Sequence, residues 1–241
     1  MSLTRPRLAP ATIDILDGYA ERTLTCPPSL ARAGGVHLLT VRSRALAAWH
    51  GYTLPIIGLS FTTGAVVACR PDLVERLGTE MGSDRHLVTL DAAALRRLLR
   101  SVRRLLPHAF TLGGDLRAAD AESLLGSPKL AELIPREDAA ALHLRNRFDG
   151  EVFGVRGPRN RVISWAALKL KSDTVWEIAV ATEADYRGRG FARDVVAAAA
   201  RYALDQGKIP IYVHDRDNST SAFVARAVGF HVYAEIVLGE Y

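Results

Sequence analysis

Short apolar runs mark the first half of the chain as a set of buried strands. Residues 36–41, 53–60 and 65–70 have the length and composition of such strands. Residues 72–77, closed by Gly78, predict a short helix, and Asp91 is a plausible N-cap for a longer one. The apolar residues of that longer helix recur at helical spacing, and Pro107 ends it: Leu95, Leu98, Leu99, Val102, Leu105 and Leu106. Gly113-Gly114 then predicts a turn.

The second half has a different order of elements. Residues 120–125 and 138–146 have the pattern of helices. After them the pattern predicts strands at 151–155, 161–171 and 174–182, a helix at 191–206, a strand at 209–214, a helix at 219–228 and a strand at 230–237. The order β-β-β-α-β-α-β is typical of an α/β or α+β sheet domain. We therefore predict a smaller N-terminal α/β domain, residues 1–117, and a C-terminal sheet domain, residues 118–241.

Composition allows an anionic ligand, nucleic acid included, but does not by itself choose among functions. The 241 residues carry a formal charge of +5, and 27 of the 31 basic residues are Arg, since only four are Lys. The rigid guanidinium fork suits phosphates and carboxylates, which leaves an anionic ligand open. The Arg-rich face of the helix after Asp91 is typical of a solvated surface, and no nucleic-acid motif accompanies it.

The remaining features predict a cytoplasmic protein without a metal site. Cys26 and Cys69 do not make a disulfide framework, and the seven His lack the spacing of metal ligands. No apolar run reaches the 18 or so residues that would span a bilayer. We expect neither a nucleic acid nor a membrane as partner.

One turn has the chemistry of a phosphate site. The sequence Arg187-Gly188-Arg189-Gly190-Phe191-Ala192 follows a predicted strand and opens a predicted helix. A helix N-terminus offers unpaired N–H groups and partial positive charge, and glycines let the backbone approach a ligand, so a pyrophosphate would fit there. The dinucleotide-binding pattern G-x-G-x-x-G is not matched, because Arg193 occupies the position of its third glycine. No Walker pattern is present either. On these six residues alone, a glycine-containing turn that binds no ligand is an equally good interpretation.

The wider pattern resembles the GNAT superfamily of N-acetyltransferases. Arg187-x-x-Gly190-x-Ala192 matches its acetyl-CoA motif R/Q-x-x-G-x-G/A, and Asn218-x-x-Ser221 followed by Gly229-Phe230 matches its next block. The longer series from Glu177 through Tyr186 to Ala192 resembles the subgroup that includes zwittermicin-resistance acetyltransferases. The resemblance covers roughly residues 151–241.

This resemblance implies a C-terminal GNAT fold with a mixed, splayed sheet, and acetyl-CoA as co-substrate. The implied pyrophosphate contacts are the motif residue Arg187 and the backbone of the turn: Gly188, Arg189, Gly190, Phe191 and Ala192. The implied pantetheine contacts are the strand end Val180, Ala181 and Thr182, together with Asn218 and Ser221. One N–H group of that strand end would polarise the thioester carbonyl. The expected acceptor is a primary amine of a small molecule, and a homodimer is left open.

Proton transfer requires further groups, because an alkyl ammonium must lose a proton before it attacks. Glu177 is the candidate base: it lies among apolar residues, and burial would raise its pKa. An ion pair or a solvent-facing strand edge is the competing interpretation. Ala225 stands where many family members place a Tyr as general acid, so Tyr212 and His214 are substitutes to consider. A non-catalytic acyl-CoA-binding or sensing protein, or an enzyme acting on protein amines, are the alternative functions.

Overall fold

The computed structural model describes residues 8–47, 51–138 and 142–241. In chain order its elements are α1 (Pro10–Leu24), α2 (Pro28–Arg32), β1 (Gly35–Thr40), β2 (Ile56–Ser60), β3 (Gly64–Cys69), α3 (Val74–Met81), α4 (Ala92–Leu105), β4 (Phe110–Ala118), β5 (Glu132–Leu133), α5 (Leu142–Arg145), β6 (Val152–Arg156), β7 (Val162–Lys169), β8 (Val175–Thr182), α6 (Phe191–Asp205), β9 (Ile209–Asp215), α7 (Ser219–Val228) and β10 (His231–Glu240). The mixed α/β class is as predicted. Within the described ranges, no helix has the length and apolar character that crossing a bilayer requires.

The chain folds as two compact units that are not contiguous in sequence. The first unit contains the residues up to Leu16, Arg117–Val213 and Asn218–Val232. The second contains Asp17–Leu116, His214–Asp217 and Tyr233–Tyr241. The predicted domains 1–117 and 118–241 stay a prediction. The last strand, β10, pairs with β2 and so lies in the second unit.

The first unit is built on strands in the order β9-β8-β7-β6-β5. Strands β5 to β8 are antiparallel neighbours, whereas β8 and β9 run parallel. Parallel neighbours need a crossover connection, which α6 supplies. Its small side chains let the helix lie close on the sheet, where Ala199 and Ala200 are buried with Ile178, Tyr212 and Phe230.

The second unit has the strand order β1-β3-β2-β10-β4. Strands β2 and β3 form an antiparallel hairpin, and β1 runs parallel to β3. The apolar stripe of α4 is buried as its spacing predicts, with Leu98 and Val102 packing in one core with Ile56 and Val67. Asp91 is the N-cap of α4, since its carboxylate accepts the N–H of Ala94 at 2.7 Å.

Several local predictions were wrong for identifiable reasons. Gly78 does not close its helix; α3 continues to Met81 and ends at Gly82, which adopts a φ of 51°. Residues 120–125 form turns instead of a helix, because Asp120 and Ser123 exchange backbone-to-side-chain hydrogen bonds of 2.9 Å that close the chain on itself.

Two further differences concern the glycine pair and the N-terminus. Gly113 and Gly114 lie inside β4, and a Cβ on Gly114 would stand 1.8 Å from the carbonyl oxygen of His214, so close approach explains the glycine there. Helix α1 was not predicted. Of the predicted helix 138–146, Leu142–Arg145 is helical, and residues 139–141 lie outside the described residues.

Candidate active site

Strands β8 and β9 separate part of the way along their length. Their parallel partners are Val175 with Ile209, Trp176 with Pro210, and Glu177 with Ile211. Beyond Glu177 the described residues of the two strands form no further pair, although β8 continues to Thr182. A gap therefore opens between them, and the backbone of one strand edge faces it.

The backbone groups that face the gap follow from strand alternation. The N–H of Glu183 donates to the carbonyl of Ile163, on the side of β7, at 2.9 Å. The carbonyl of Thr174 accepts from the first residue of β9 at 2.9 Å. Because successive residues direct their N–H and C=O groups to opposite sides, those of Val180 and Thr182 are directed to the side of β9. The N–H of Val180 is therefore available to a molecule lying in the gap.

A tight turn then leads from β8 into α6. Gly188 and Gly190 have φ values of 75° and 86°, a region that favours glycine, and Gly190 is the N-cap of α6. The Nε of Arg187 donates to the carbonyl of Thr182 at 3.2 Å, which ties the turn to the strand end. The first N–H groups of α6 have no partner within the helix, and the helix dipole adds positive potential. The turn thus presents an anion-binding surface.

The gap and the turn border one cavity of about 450 Å³. Its lining residues come from the β8 end, the turn, β9 and α7: Val180, Ala181, Thr182, Tyr186, Arg187, Gly188, Gly190, Phe191, Ala192, Arg193, Tyr212, Asn218, Thr220, Ser221, Phe223 and Val224. Asn218 is the N-cap of α7, since its Oδ1 accepts the N–H of Ser221 at 2.9 Å. The Tyr212 hydroxyl lies 2.8 Å from the Ser221 Oγ. An elongated ligand with an anionic end fits this combination of open strand edge and glycine turn.

Comparison with protein families agrees with this geometry. Residues 136–237 match the model of the GNAT acetyltransferase family. This part of the chain is similar to GNAT acetyltransferases. The match includes every element that borders the cavity. No curated protein sequence matches the chain.

Several solved structures of GNAT acetyltransferases are similar to this chain at low sequence identity. A GNAT-family acetyltransferase from Novosphingobium aromaticivorans is 17% identical, with a TM-score of 0.47 over 54% of this chain and 64% of that protein, slightly under two thirds of its length. A GNAT-family acetyltransferase from Colwellia psychrerythraea is 13% identical, with a TM-score of 0.48 over 73% of this chain and 76% of that one. A GCN5-related N-acetyltransferase from Kribbella flavida is 19% identical, with a TM-score of 0.43 over 62% and 76%.

The structure brings most of the residues predicted to contact acetyl-CoA to one cavity. Arg189 is the exception: it donates to the carbonyl of Asp185 at 3.2 Å and its guanidinium lies over the ring of Tyr186. It borders a neighbouring cavity of about 380 Å³ together with Lys129. The binding roles themselves stay predictions.

Glu177 lies outside the cavity lining, on the opposite face of β8 from the core residues Trp176 and Ile178. The Nζ of Lys169 donates to one of its oxygens at 2.7 Å, and the Nζ of Lys171 lies 3.4 Å from the other. Burial by itself raises the pKa of Glu177, but the two ammonium groups outweigh burial, and the net shift of that pKa is downward. The expectation of a raised pKa was therefore wrong. The role of Glu177 as base stays a prediction.

The two suggested substitutes for the general acid have different surroundings. Tyr212 lines the cavity, and burial raises the pKa of its hydroxyl above the ordinary value, so the group keeps its proton at neutral pH. His214 is buried, with its Nδ1 at 2.9 Å from the carbonyl oxygen of Asp215 and its Nε2 at 3.7 Å from Asp115. Ala225 is fully buried in the core and offers no polar group. Tyr212 is the better placed of the two substitutes.

Sequence reasoning missed the exposed wall of the cavity. Phe223 is 55% exposed, and the guanidinium of Arg193 lies 6.0 Å from its ring centre. Tyr186 and Thr220 also line the cavity. Thr220 and Phe223 lie three positions apart and so share one face of α7, but neither has that spacing from Ser221, so the predicted residue did not indicate them.

Asp194, on the first turn of α6, is a further residue that the sequence did not single out. Its carboxylate accepts the backbone N–H groups of Lys129, Leu130 and Ala131 at 2.7, 2.6 and 2.7 Å. These three bonds join the loop before β5 to α6, the helix that follows the turn predicted to bind phosphate. Charge-assisted hydrogen bonds are the stronger class, at about 1.5–3 kcal/mol each.

We expect Asp194→Asn to lower both the melting temperature and the affinity for CoA. An amide has one acceptor oxygen, and its NH₂ group would oppose a backbone N–H, so at least one of the three bonds is lost. A loss of about 2 kcal/mol corresponds to a melting temperature several degrees lower, and we expect CoA affinity to fall about tenfold. Calorimetric scanning and titration measure both. Asp205→Asn, on the exposed last turn of the same helix, is the matched control; equal effects of the two variants would contradict an anchoring role for Asp194.

Proposed function

We propose that the protein transfers an acetyl group directly from acetyl-CoA to a primary amine of a small molecule. The observation that supports this most is the parting of β8 from β9 beside the glycine turn of α6. That gap offers a backbone edge for the amide groups of pantetheine, and the turn offers N–H groups for the pyrophosphate. The family of residues 136–237 supplies the class of reaction. The resemblance to the zwittermicin-resistance subgroup remains part of the proposal.

In this proposal the amine attacks the thioester carbonyl carbon, a C–N bond forms and the C–S bond breaks. The N–H of Val180 stabilises the charge that develops on the carbonyl oxygen. Glu177 accepts the ammonium proton, directly or through water, and the Tyr212 hydroxyl donates a proton to the departing CoA sulfur. The nitrogen loses its second proton to water as the C–S bond breaks, and water returns a proton to Tyr212 through Ser221, whose Oγ lies 2.8 Å from the Tyr212 hydroxyl. Each of these roles is open to substitution experiments.

A non-catalytic acyl-CoA-binding or sensing protein is the second candidate. Two observations favour it: Ala225 provides no hydroxyl, and Glu177 is held by two lysines. An enzyme whose acceptor is a protein amine is a third candidate with the same donor site. A homodimer and the completion of the acceptor site by the N-terminal residues remain hypotheses alongside these functions.

Release of free CoA thiol separates these candidates. The purified protein is given acetyl-CoA with a panel of small primary amines, with lysine-containing peptides, or with no acceptor. We expect thiol release at least about tenfold above the acceptor-free rate with some small amines, because a correctly placed amine avoids the entropy cost of encounter. Release only with peptides would favour the protein acceptor. Binding of acetyl-CoA without release under any condition would favour the sensor.

A further inference from the structure

A second cavity, separate from the acetyl-CoA site, lies within the second unit. It measures about 210 Å³ and has room for several water-sized groups. Helix α4 forms one wall, and residues 215–217 form another. The surface between these walls is apolar, with Leu95, Leu99, Ile236 and Val237 lining it. No residue of this cavity has a part in the proposed acetyl transfer.

Three arginines of α4 line this cavity at positions i, i+4 and i+7. These are Arg96, Arg100 and Arg103, and all three are exposed. Residues at this spacing share one helix face, so their positive charges lie along the same wall. Arg103 donates from its Nε to the hydroxyl of Thr111 at 3.2 Å. This partner is neutral, so it does not neutralise the charge of Arg103.

The other charged side of α4 is neutralised within the unit. Arg97 donates to both oxygens of Asp84, at 2.7 and 2.8 Å, and Arg104 donates to Glu80. By contrast, no carboxylate of the described ranges lies within 4.0 Å of the guanidinium groups of Arg96, Arg100 and Arg103. The helix therefore pairs the arginines outside the cavity and leaves those along it available to an anion.

The opposite wall carries two aspartates. The carboxylate of Asp215 accepts the backbone N–H of Asp217 at 2.9 Å, and within the described part of the chain neither has an ammonium or guanidinium group within 4.0 Å. Arg216, which lies between them, donates instead to Glu235. The cavity thus has a cationic wall and an anionic wall that do not neutralise each other, with apolar side chains in between.

We propose that this cavity binds a small zwitterion, a molecule with a carboxylate at one end, a primary ammonium at the other and a short alkyl chain between them. The guanidinium groups of Arg96 and Arg100 match a carboxylate, which they can hold with two parallel N–H bonds. Asp215 and Asp217 match an ammonium, and the alkyl chain covers Leu99 and Ile236. This site does not depend on the proposed acetyl transfer.

Titration calorimetry with the full chain at low salt tests the proposal without acetyl-CoA. The probes are glycine, 4-aminobutyrate and 6-aminohexanoate, compared with butyrate and butylamine, which carry only one of the two charges. We expect one of the amino acids to bind at least about tenfold more tightly than both singly charged compounds, with weaker binding as salt rises. Equal binding of butyrate, or no binding of any amino acid in the series, would overturn the proposal.

Substitutions distinguish this cavity from the general positive charge of α4. Arg100→Gln and Asp217→Asn should each weaken binding of the tightest-binding amino acid about tenfold or more. The first removes a charge that would contact the ligand carboxylate, and the second removes a charge that would contact its ammonium group. Arg104→Gln makes the same change of charge on the same helix outside the cavity, and should leave the affinity unchanged. A loss with Arg104→Gln as large as that with Arg100→Gln would show a diffuse charge effect and refute the site. The melting temperature of each variant verifies that it is folded.

Discussion

Gly190→Asp is expected to abolish binding of CoA, with a loss of affinity of more than about 100-fold. Gly190 is the N-cap of α6 with a φ of 86°, where a side chain is strained, and its Cβ would lie 3.0 Å from the guanidinium of Arg193. The carboxylate would also occupy the place of the pyrophosphate and compete for the first N–H groups of the helix. Titration calorimetry with CoA measures the loss directly.

Gly207→Asp is the matched control for this experiment. Gly207 also has a positive φ, of 70°, but it follows the other end of α6, and a Cβ there would meet nothing within 4 Å. The two variants therefore share the backbone strain and the added charge, and they differ in their distance from the turn. Equal affinity of a folded Gly190→Asp protein and the unchanged protein would remove the turn from the CoA site.

The part of the site that could be predicted from the sequence is the part that is local. The turn from Arg187 to Ala192 combines strand end, glycine pair and helix start within a few residues, so its chemistry can be inferred from the order of residue types. Asn218 is similar, because an N-cap and the helix it begins are adjacent in sequence. The alternation of Val180 and Thr182 in β8 likewise follows once the strand is recognised.

Features that depend on contacts between residues distant in sequence could not be predicted. The two ammonium groups beside Glu177 come from β7 and its end, and the register that places Lys169 opposite Glu177 is decided by the whole sheet. The triple hydrogen bond of Asp194 joins positions more than 60 residues apart. The pairing of β10 with β2 is longer in range still, and it places the last strand in the second compact unit.

Apart from helix α1, which was not predicted, the errors in the predicted fold concern glycines and short polar turns. A glycine pair predicts a turn when only local conformation is considered, but Gly114 serves the close approach of another segment to β4. Asp120 and Ser123 likewise have the spacing of a helix start, yet their mutual hydrogen bonds close a turn, and Asp120 also accepts the N–H of Ala9 at 2.8 Å. Such competing partners are visible only in three dimensions.

Glu177→Gln is expected to lower kcat/KM for amine acetylation by about 10²-fold while CoA affinity is preserved. The amide keeps the shape of the side chain but cannot accept a proton as a carboxylate does. CoA binding should persist because Glu177 lies outside the lining of the cavity proposed to bind acetyl-CoA. The substitution also leaves Lys169 and Lys171 without their carboxylate, and breaking a mostly buried ion pair costs about 3–5 kcal/mol. Rates are therefore compared well below the melting temperature of the variant.

The pH dependence separates a catalytic carboxylate from a structural one. Because the lysines lower the pKa of Glu177, the group is deprotonated across the neutral range, and activity that depends on it is lost only as the pH falls through that lowered pKa. Lys171→Met removes one of the two ammonium groups, so the pKa of Glu177 should rise and the acidic limb of kcat/KM should move to higher pH. A base role predicts that this shift is seen in Lys171→Met and that the limb is absent in Glu177→Gln. The contrary result is a Glu177→Gln protein with an unchanged acetylation rate and an unchanged pH profile of kcat/KM. Glu177 would then be part of a structural ion pair, and water or another residue would remove the proton.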